Sequence, residues 1–478
     1  MTTGPLGTSI GRRAAGGGLW VLGGTVAGGL ATTAVMLILA GLLTPAEFGV
    51  VAIAVVILEA ATIGLSPGLG QAVQSIRRSR EIESTALALA LLAGSGVALI
   101  LAPLVPGLVR LFGVPQAAPL AAAILIALPP RRWNEVRLAQ FERQLEFRIP
   151  NLVVGVAALV AGAGAVLAAV AGLGAWALLV QVVATEVLTA VGLTVAGPRP
   201  VRPRFHRQAA SELWRYSRQL LGSSVAVFGY TNVDDVFVAR IGGAGSLGAY
   251  SFAYRIANLA VLVVTRPVQR VLLPVLRRLI ESDEPVSRPY LSSVRALTWM
   301  SAALALTIAI QGPAVLEVVY DGRWDASYWP LRIFAFYALF RALGASTGTV
   351  FLAFGLPSLV RRIASIQLIG LVLLIAPATM LLGPTGAALA VTVPLAAGVV
   401  YAVSRAANLT GTRARSVWLA TLTSWAAALV ANALVTPIVL LSSGWAGWIT
   451  AGFCLALLLA LASMRLLLPV MRSLRSRT

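Results

Sequence analysis

The sequence predicts an all-α polytopic membrane protein of about fourteen transmembrane helices. Three observations carry that expectation. Apolar residues make up 58% of the 478 positions, and at about 20 per membrane-spanning helix they fill roughly fourteen spans. Charged residues are only 11%, against about 25% in an ordinary soluble domain. Mean hydropathy is +0.88. A soluble chain of this length cannot hide so much apolar surface, so soluble, disordered and fibrous classes are excluded.

The elements follow in order. The apolar stretch from Leu19 to Leu43, preceded by Arg12 and Arg13, exceeds the roughly 7–15-residue core of a cleavable signal and reads as a retained first helix. Further apolar runs predict spans at 48–68, 84–105, 116–130, 150–171, 174–196, 219–241 and 247–271. They continue at 291–311, 331–355, 359–382, 385–404, 416–440 and 445–468. The fourth is short and can extend into the polar segment 131–148, where Leu138, Phe141 and Leu145 share one side. That spacing suggests an interfacial or extended helix end with snorkelling arginines.

Net charge is +20, and every basic residue is Arg because the chain has no Lys. The arginines fall in alternate connections: at the N-terminus, 77–80, 131–148, 199–218, 277–288, 361–362, 405–415 and 472–477. The opposite connections hold little more than Arg110, Arg240 and Arg323. This asymmetry predicts both termini in the cytoplasm and an even number of spans. Nucleic acid is not an expected partner, since no soluble face gathers the basic groups. The lone Cys454 and lone His206 exclude an internal disulfide and a His/Cys metal site. A P-loop cannot occur without Lys, and no cofactor is expected.

A weak internal repeat appears at an offset of about 199 residues. Ala40–Leu43 followed by Phe48-Gly49 aligns with Ala239–Gly242 followed by Leu247-Gly248, and an Arg pair follows each, Arg77-Arg78 and Arg277-Arg278. Equal orientation of the copies implies two six-helix bundles related by a pseudo-twofold along the membrane normal, with a central cleft. The expected organisation is a first bundle at 1–198, a cytoplasmic basic linker at 199–218, a second bundle at 219–404, and two further helices with a basic tail at 405–478.

Several segments resemble a known family. They are Leu42-Leu43-Thr44-Pro45-Ala46-Glu47-Phe48-Gly49, Gly70–Gln74, Phe141–Arg148, Gly174–Leu178, Asp234–Arg240, Leu247–Tyr250 with Ala253-Tyr254-Arg255, and Tyr320–Trp324. In order and spacing they resemble polysaccharide or lipopolysaccharide exporters of the colanic-acid type, within the multidrug/oligosaccharidyl-lipid/polysaccharide flippase superfamily. Ala239 departs from the Gly usual there. The resemblance implies a transporter that moves a polyprenyl-pyrophosphate-linked oligosaccharide across the inner membrane by alternating access. Its implied partners are that lipid-linked oligosaccharide, membrane lipids, a polysaccharide polymerase and glycosyltransferases.

Ionisable residues inside spans mark candidate sites, because each costs about 2.5–3.5 kcal/mol on insertion scales. Span seven carries Asn232, Asp234 and Asp235; span two Glu59; span six Glu186; span eight Arg255, Arg266 and Arg270; span ten Arg341. On span eight, Ser251, Tyr254, Arg255, Asn258, Thr265, Arg266 and Gln269 share a sector of about 120°. Such a stripe faces a wet cavity or other protein. Tyr254, Arg255, Asn258, Arg266, Arg270 and Arg341 are therefore the candidate substrate residues, the arginines being suited to an anionic pyrophosphate. Arg255 and Asp235 lie at depths differing by roughly 3 Å, so an intramembrane Asp–Arg pair is one reading of the aspartates and ion coupling the other. Glu59 and Glu186 show no partner in the sequence.

Two other functions remain open at this point. One is a multidrug or small-solute antiporter. The other is a polytopic glycosyltransferase or polymerase using Glu317, Asp321 and Asp325 of the 312–330 connection, which is a small loop for catalysis.

Overall fold

The structure is a computed structural model that describes residues 28–29, 32–65, 68–76, 79–144, 146–197 and 202–441. Among them, regular structure is helical and no strand occurs. The helices are α1 Thr32–Leu42, α2 Pro45–Leu65, α3 Leu69–Ser75, α4 Arg80–Leu101, α5 Val105–Leu111, α6 Ala118–Ala123 and α7 Leu128–Arg143. There follow α8 Arg148–Val170, α9 Ala175–Val195, α10 Arg207–Glu281, α11 Ser287–Tyr320, α12 Tyr328–Ala353, α13 Pro357–Thr410 and α14 Ala414–Leu441. Eight helical stretches of the described residues are long and apolar enough to cross a membrane. Leu99, Leu167, Val195 and Leu381 stand exposed on them, as lipid-facing side chains do. This is an integral membrane protein of all-α, polytopic build. The expected last span, 445–468, lies outside the described residues.

Two long helices are each bent by a glycine. α10 breaks at Gly243 (φ 74°, ψ −175°) and α13 at Gly383 (φ 57°, ψ −137°). Both backbones are open to glycine and strained for other residues. The chain forms two compact units, one up to Ser251 and one from Phe252, so the division falls inside α10 shortly after Gly243.

The turn Leu43–Gly49 is explained by its capping chemistry. The Thr44 N–H and hydroxyl donate to Glu47 Oε2 at 2.8 and 2.9 Å, and the Glu47 N–H returns to Thr44 Oγ1 at 3.3 Å. That is a capping box, with Pro45 at the first helical position. α4 starts in a related way, Ser79 Oγ accepting the Ile82 N–H at 3.0 Å.

The repeat has a structural counterpart at these same residues. A Cβ on Gly49 would lie 1.8 Å from the Ala244 carbonyl oxygen, and one on Gly248 would lie 1.7 Å from that of Pro45. At the offset of about 199 residues Gly49 maps to Gly248 and Pro45 to Ala244. The contact is therefore reciprocal, as a local two-fold demands. Matching glycines recur elsewhere: Gly174 (φ 55°, ψ −133°) before α9 has nearly the dihedrals of Gly383. Gly113 and Gly322, both at positive φ, precede the 3₁₀ turns Pro115–Ala117 and Asp325–Ser327 that lead into α6 and α12.

Residues 131–143 continue helix α7, the extended helix end that was one form of the expectation, but Arg132 and Arg137 do not snorkel: the helix buries both, with Asn134, Val136, Ala139 and Gln140. The buried Arg132 and Arg137 and the half-buried Arg143 all have acceptors. Arg132 pairs with Glu135 at 2.8 Å. Arg137 donates to Gln140 at 2.7 Å and to the Leu193 carbonyl at 2.9 Å. Arg143 donates to the Val73 carbonyl at 2.6 Å. Hydrogen bonding of this density is what makes a buried guanidinium tolerable. A small-residue and apolar cluster of Leu69, Ala72, Val73, Ile82, Ala86 and Val136 packs α3, α4 and α7 together.

In the second unit α11 packs on α12 and α14. Thr298 meets Ser424 at 3.3 Å and Thr307 meets Asn432 at 3.1 Å. Such hydroxyl and amide contacts hold helices together where lipid removes the hydrophobic driving force.

Candidate substrate cavity

The polar stripe of α10 lies beyond the Gly243 break, and part of it faces space. A cavity of about 380 Å³ opens within the second unit, walled by α10, α12 and both arms of α13. Its polar lining is Tyr254, Asn258, Thr265 and Gln269 from α10, Arg341 and Thr347 from α12, and Gln367 from α13. Gly344 and Gly348 line the α12 wall, and a Cβ on Gly348 would meet nothing within 4 Å. The lining residues include no carboxylate.

The polar groups are held in defined positions. Arg341 NH1 donates to the Tyr337 hydroxyl at 2.9 Å and its guanidinium lies 5.8 Å from that ring's centre. Tyr254 packs edge-on against Phe334 at 5.2 Å and tilted against Tyr337 at 5.9 Å. One phenol thus orients both an arginine and a tyrosine of the wall. Gln269 Nε2 donates to the Ala345 carbonyl at 3.2 Å. The Thr265 hydroxyl is buried with no protein partner, leaving an unused donor and acceptor at the cavity wall.

Of the six candidate substrate residues, Tyr254, Asn258 and Arg341 come together here. Arg255 is exposed and does not line the cavity. The side chains of Arg266 and Arg270 lie outside the described residues. Gln367 and Thr347 were not among the sequence candidates. A lone amide in the apolar run of α13 was the available signal for Gln367; Thr347 gave none, because Thr is common in spans.

The aspartates sit in the first unit. Asp234 is buried and takes a hydrogen bond from the Tyr250 hydroxyl, while its Oδ1 is buried without a hydrogen-bond partner. Asp235 is half-buried and accepts from Ser251 Oγ at 3.3 Å. Both partners stand sixteen residues further along α10, past the Gly243 break. The two carboxylates of spans two and six also find company: Glu59 and Glu186 lie 3.8 and 4.0 Å from Arg131.

Fold and cavity together define a polytopic helical membrane protein with a polar chamber inside one unit whose lining includes no carboxylate. Residues 38–328 match the family model described as polysaccharide biosynthesis protein, and the chain belongs to that family. It is 29% identical over 301 residues to the succinoglycan biosynthesis transport protein ExoT of Rhizobium meliloti (strain 1021), covering 62% of this chain and 60% of that relative. The matched part thus spans about 60% of the relative's length. In fold it is similar to the lipid II flippase MurJ in an inward closed conformation, with a TM-score of 0.68 at 13% identity over 94% of this chain and 99% of the other. It is also similar to an inward-facing multidrug resistance MATE family transporter of the MOP superfamily, with a TM-score of 0.58 at 15% identity over 84% and 95% of the two chains.

Proposed function

We propose that this protein is a flippase that carries a polyprenyl-pyrophosphate-linked oligosaccharide across the inner membrane by alternating access, with ion coupling. The observation that carries the reading is the chamber lined by Tyr254, Asn258, Thr265, Gln269, Arg341 and Gln367 with no carboxylate. Amides and hydroxyls offer both donors and acceptors to a hydroxyl-rich glycan, and Arg341 adds a fixed positive charge for an anionic group. A cationic drug would need negative walls, which makes the antiporter the weaker reading. The transport wording in the name of the succinoglycan relative and the flippase fold of the MurJ neighbour support the same direction.

In this reading the chain crosses about fourteen times, as bundles at 1–198 and 219–404 joined by the 199–218 linker and followed by 405–478, with both termini cytoplasmic. Arg255, Arg266 and Arg270 take the pyrophosphate, while Asp234 and Asp235 couple transport to a cation. Membrane lipids surround it, and a polymerase and glycosyltransferases work on either side of the same substrate. The test is turnover of a labelled lipid-linked sugar in liposomes, with and without a sugar donor. Donor-independent inversion, reduced about tenfold by Asn258→Leu or Arg341→Gln, supports flipping. Donor-dependent transfer would move the protein to the glycosyltransferases, and uptake of cationic drugs without inversion would move it to the antiporters.

A further inference from the structure

The two arms of α13 bring basic groups together at the end remote from their Gly383 break. Along the arms, Arg362 and Arg405 lie about 31 and 33 Å from that break at 1.5 Å per residue. This is close to the roughly 30 Å hydrocarbon core of a bilayer, so with the break at one membrane face the two arginines reach the other. Arg405 Nε donates to the Tyr401 hydroxyl at 3.2 Å, and its guanidinium lies 5.3 Å from that ring's centre. From the first arm, Arg362 comes close enough to act on the same oxygen. Arg361, Arg362 and Arg405 are exposed, as are Arg413 and Arg415 around the start of α14.

No carboxylate side chain answers these charges. Asp325 is the last acidic residue in the sequence, and all 17 Asp and Glu residues are among the described ones. None of them forms an ion pair with Arg361, Arg362 or Arg405. The surface beside the cluster is apolar and open. Ile366, Ile369 and Leu373 follow Arg362 on one helical face, all exposed, and Val393 and Val400 stand exposed on the other arm. Guanidiniums without an acidic partner, above a strip of aliphatic side chains, match a molecule with an anionic head and an acyl tail. A free phosphate would meet the arginines but gain nothing from the strip. We propose that Arg361, Arg362, Tyr401 and Arg405 hold the phosphate of an anionic phospholipid of the bilayer, whose acyl chains lie along these rows. Arg362 and Arg405 donate to the phosphate oxygens, and Tyr401 keeps the two guanidiniums side by side. One headgroup then ties together the two arms whose Ile363, Gln367, Val399 and Ala402 wall the chamber. The binding is independent of the flippase reading.

The test places the full-length protein in phosphatidylcholine vesicles that contain a trace of phosphatidylglycerol with a photoreactive acyl chain. Adducts are then mapped by mass spectrometry of peptides. Labelling at 362–373 and 393–400 should exceed that of the other lipid-facing spans, and unlabelled phosphatidylglycerol should compete it away. Arg362→Gln and Arg405→Gln should each lower it about fivefold, the worth of one basic group beside an anionic headgroup. Arg148→Gln, at the exposed start of α8, should leave it unchanged. Even labelling of all spans, or labelling unmoved in both α13 variants, overturns the site. Displacement by inorganic pyrophosphate as complete as by the lipid would show a soluble-phosphate site and overturn the lipid assignment. Should the glutamine variants fail to fold, Tyr401→Phe keeps the ring and releases the guanidiniums: reduced labelling supports the site and unchanged labelling overturns it.

Discussion

Tyr250 and Asp234 show how much one hydroxyl can decide. The carboxylate is buried, one oxygen is bonded by the phenol, and the other has no hydrogen-bond partner. Tyr250→Phe would keep the packing and remove that donor, so it should cost about 1–3 kcal/mol, read as a lower melting temperature of the purified protein. Asp234→Asn, which removes the charge, should cost less than Tyr250→Phe if burial of the carboxylate dominates. Equal losses would mean that the hydrogen bond is the main term. At the cavity wall, Gly348→Leu should leave melting unchanged, because a Cβ there meets open space. The same variant should lower substrate turnover by filling the chamber. Residues of this kind were half legible. Asn258, Tyr254 and Arg341 could be picked from the sequence because polar groups in a span must face something polar. The union of Glu59 and Glu186 at Arg131 could not, because the three lie on helices whose facing no local pattern records.

At the scale of elements, the breaks of helices were the most readable features and helix burial the least. The Leu42–Gly49 segment was picked out only as a family-like motif, and the structure shows a capping box in it at Thr44 and Glu47. Thr44→Ala should therefore destabilise by about 1 kcal/mol, seen as a small drop in melting temperature, with Glu47→Ala similar and the pair less than additive. The turn near Gly243 was legible from clustered glycines, and the backbone there needs one. α7 was not legible. Its arginines read as surface groups, whereas Arg137 and Arg143 are held by the carbonyls of Leu193 and Val73, and a carbonyl has no signature in a sequence. Arg137→Ala should strand Gln140 and open a gap in the buried face, lowering the yield of folded protein far more than Arg148→Ala at the exposed start of α8.

For the whole molecule, the arginine asymmetry makes a topological prediction that a single native thiol renders easy to check. In a Cys454→Ala background, Arg204→Cys should label only after the inner membrane is permeabilised, and Arg323→Cys should label in intact cells. Labelling of position 204 from outside would invert the orientation. The all-α polytopic class was readable at this scale because membrane solvation leaves few architectures. The chamber was not, since the sequence pointed to a cleft between bundles and the described cavity lies within one unit.

The crossing at Gly49 and Gly248 carries a consequence for how this chain can change. Residue Gly49 meets Ala244 while Gly248 meets Pro45, which is the isologous pattern of a symmetric dimer interface, folded into a single polypeptide. In a true homodimer one codon alters both sides of such a contact at once. Here the two copies mutate separately, so a larger residue at either glycine collides with an unchanged partner backbone that no side-chain substitution can trim. Each backbone thereby holds the position opposite it to glycine.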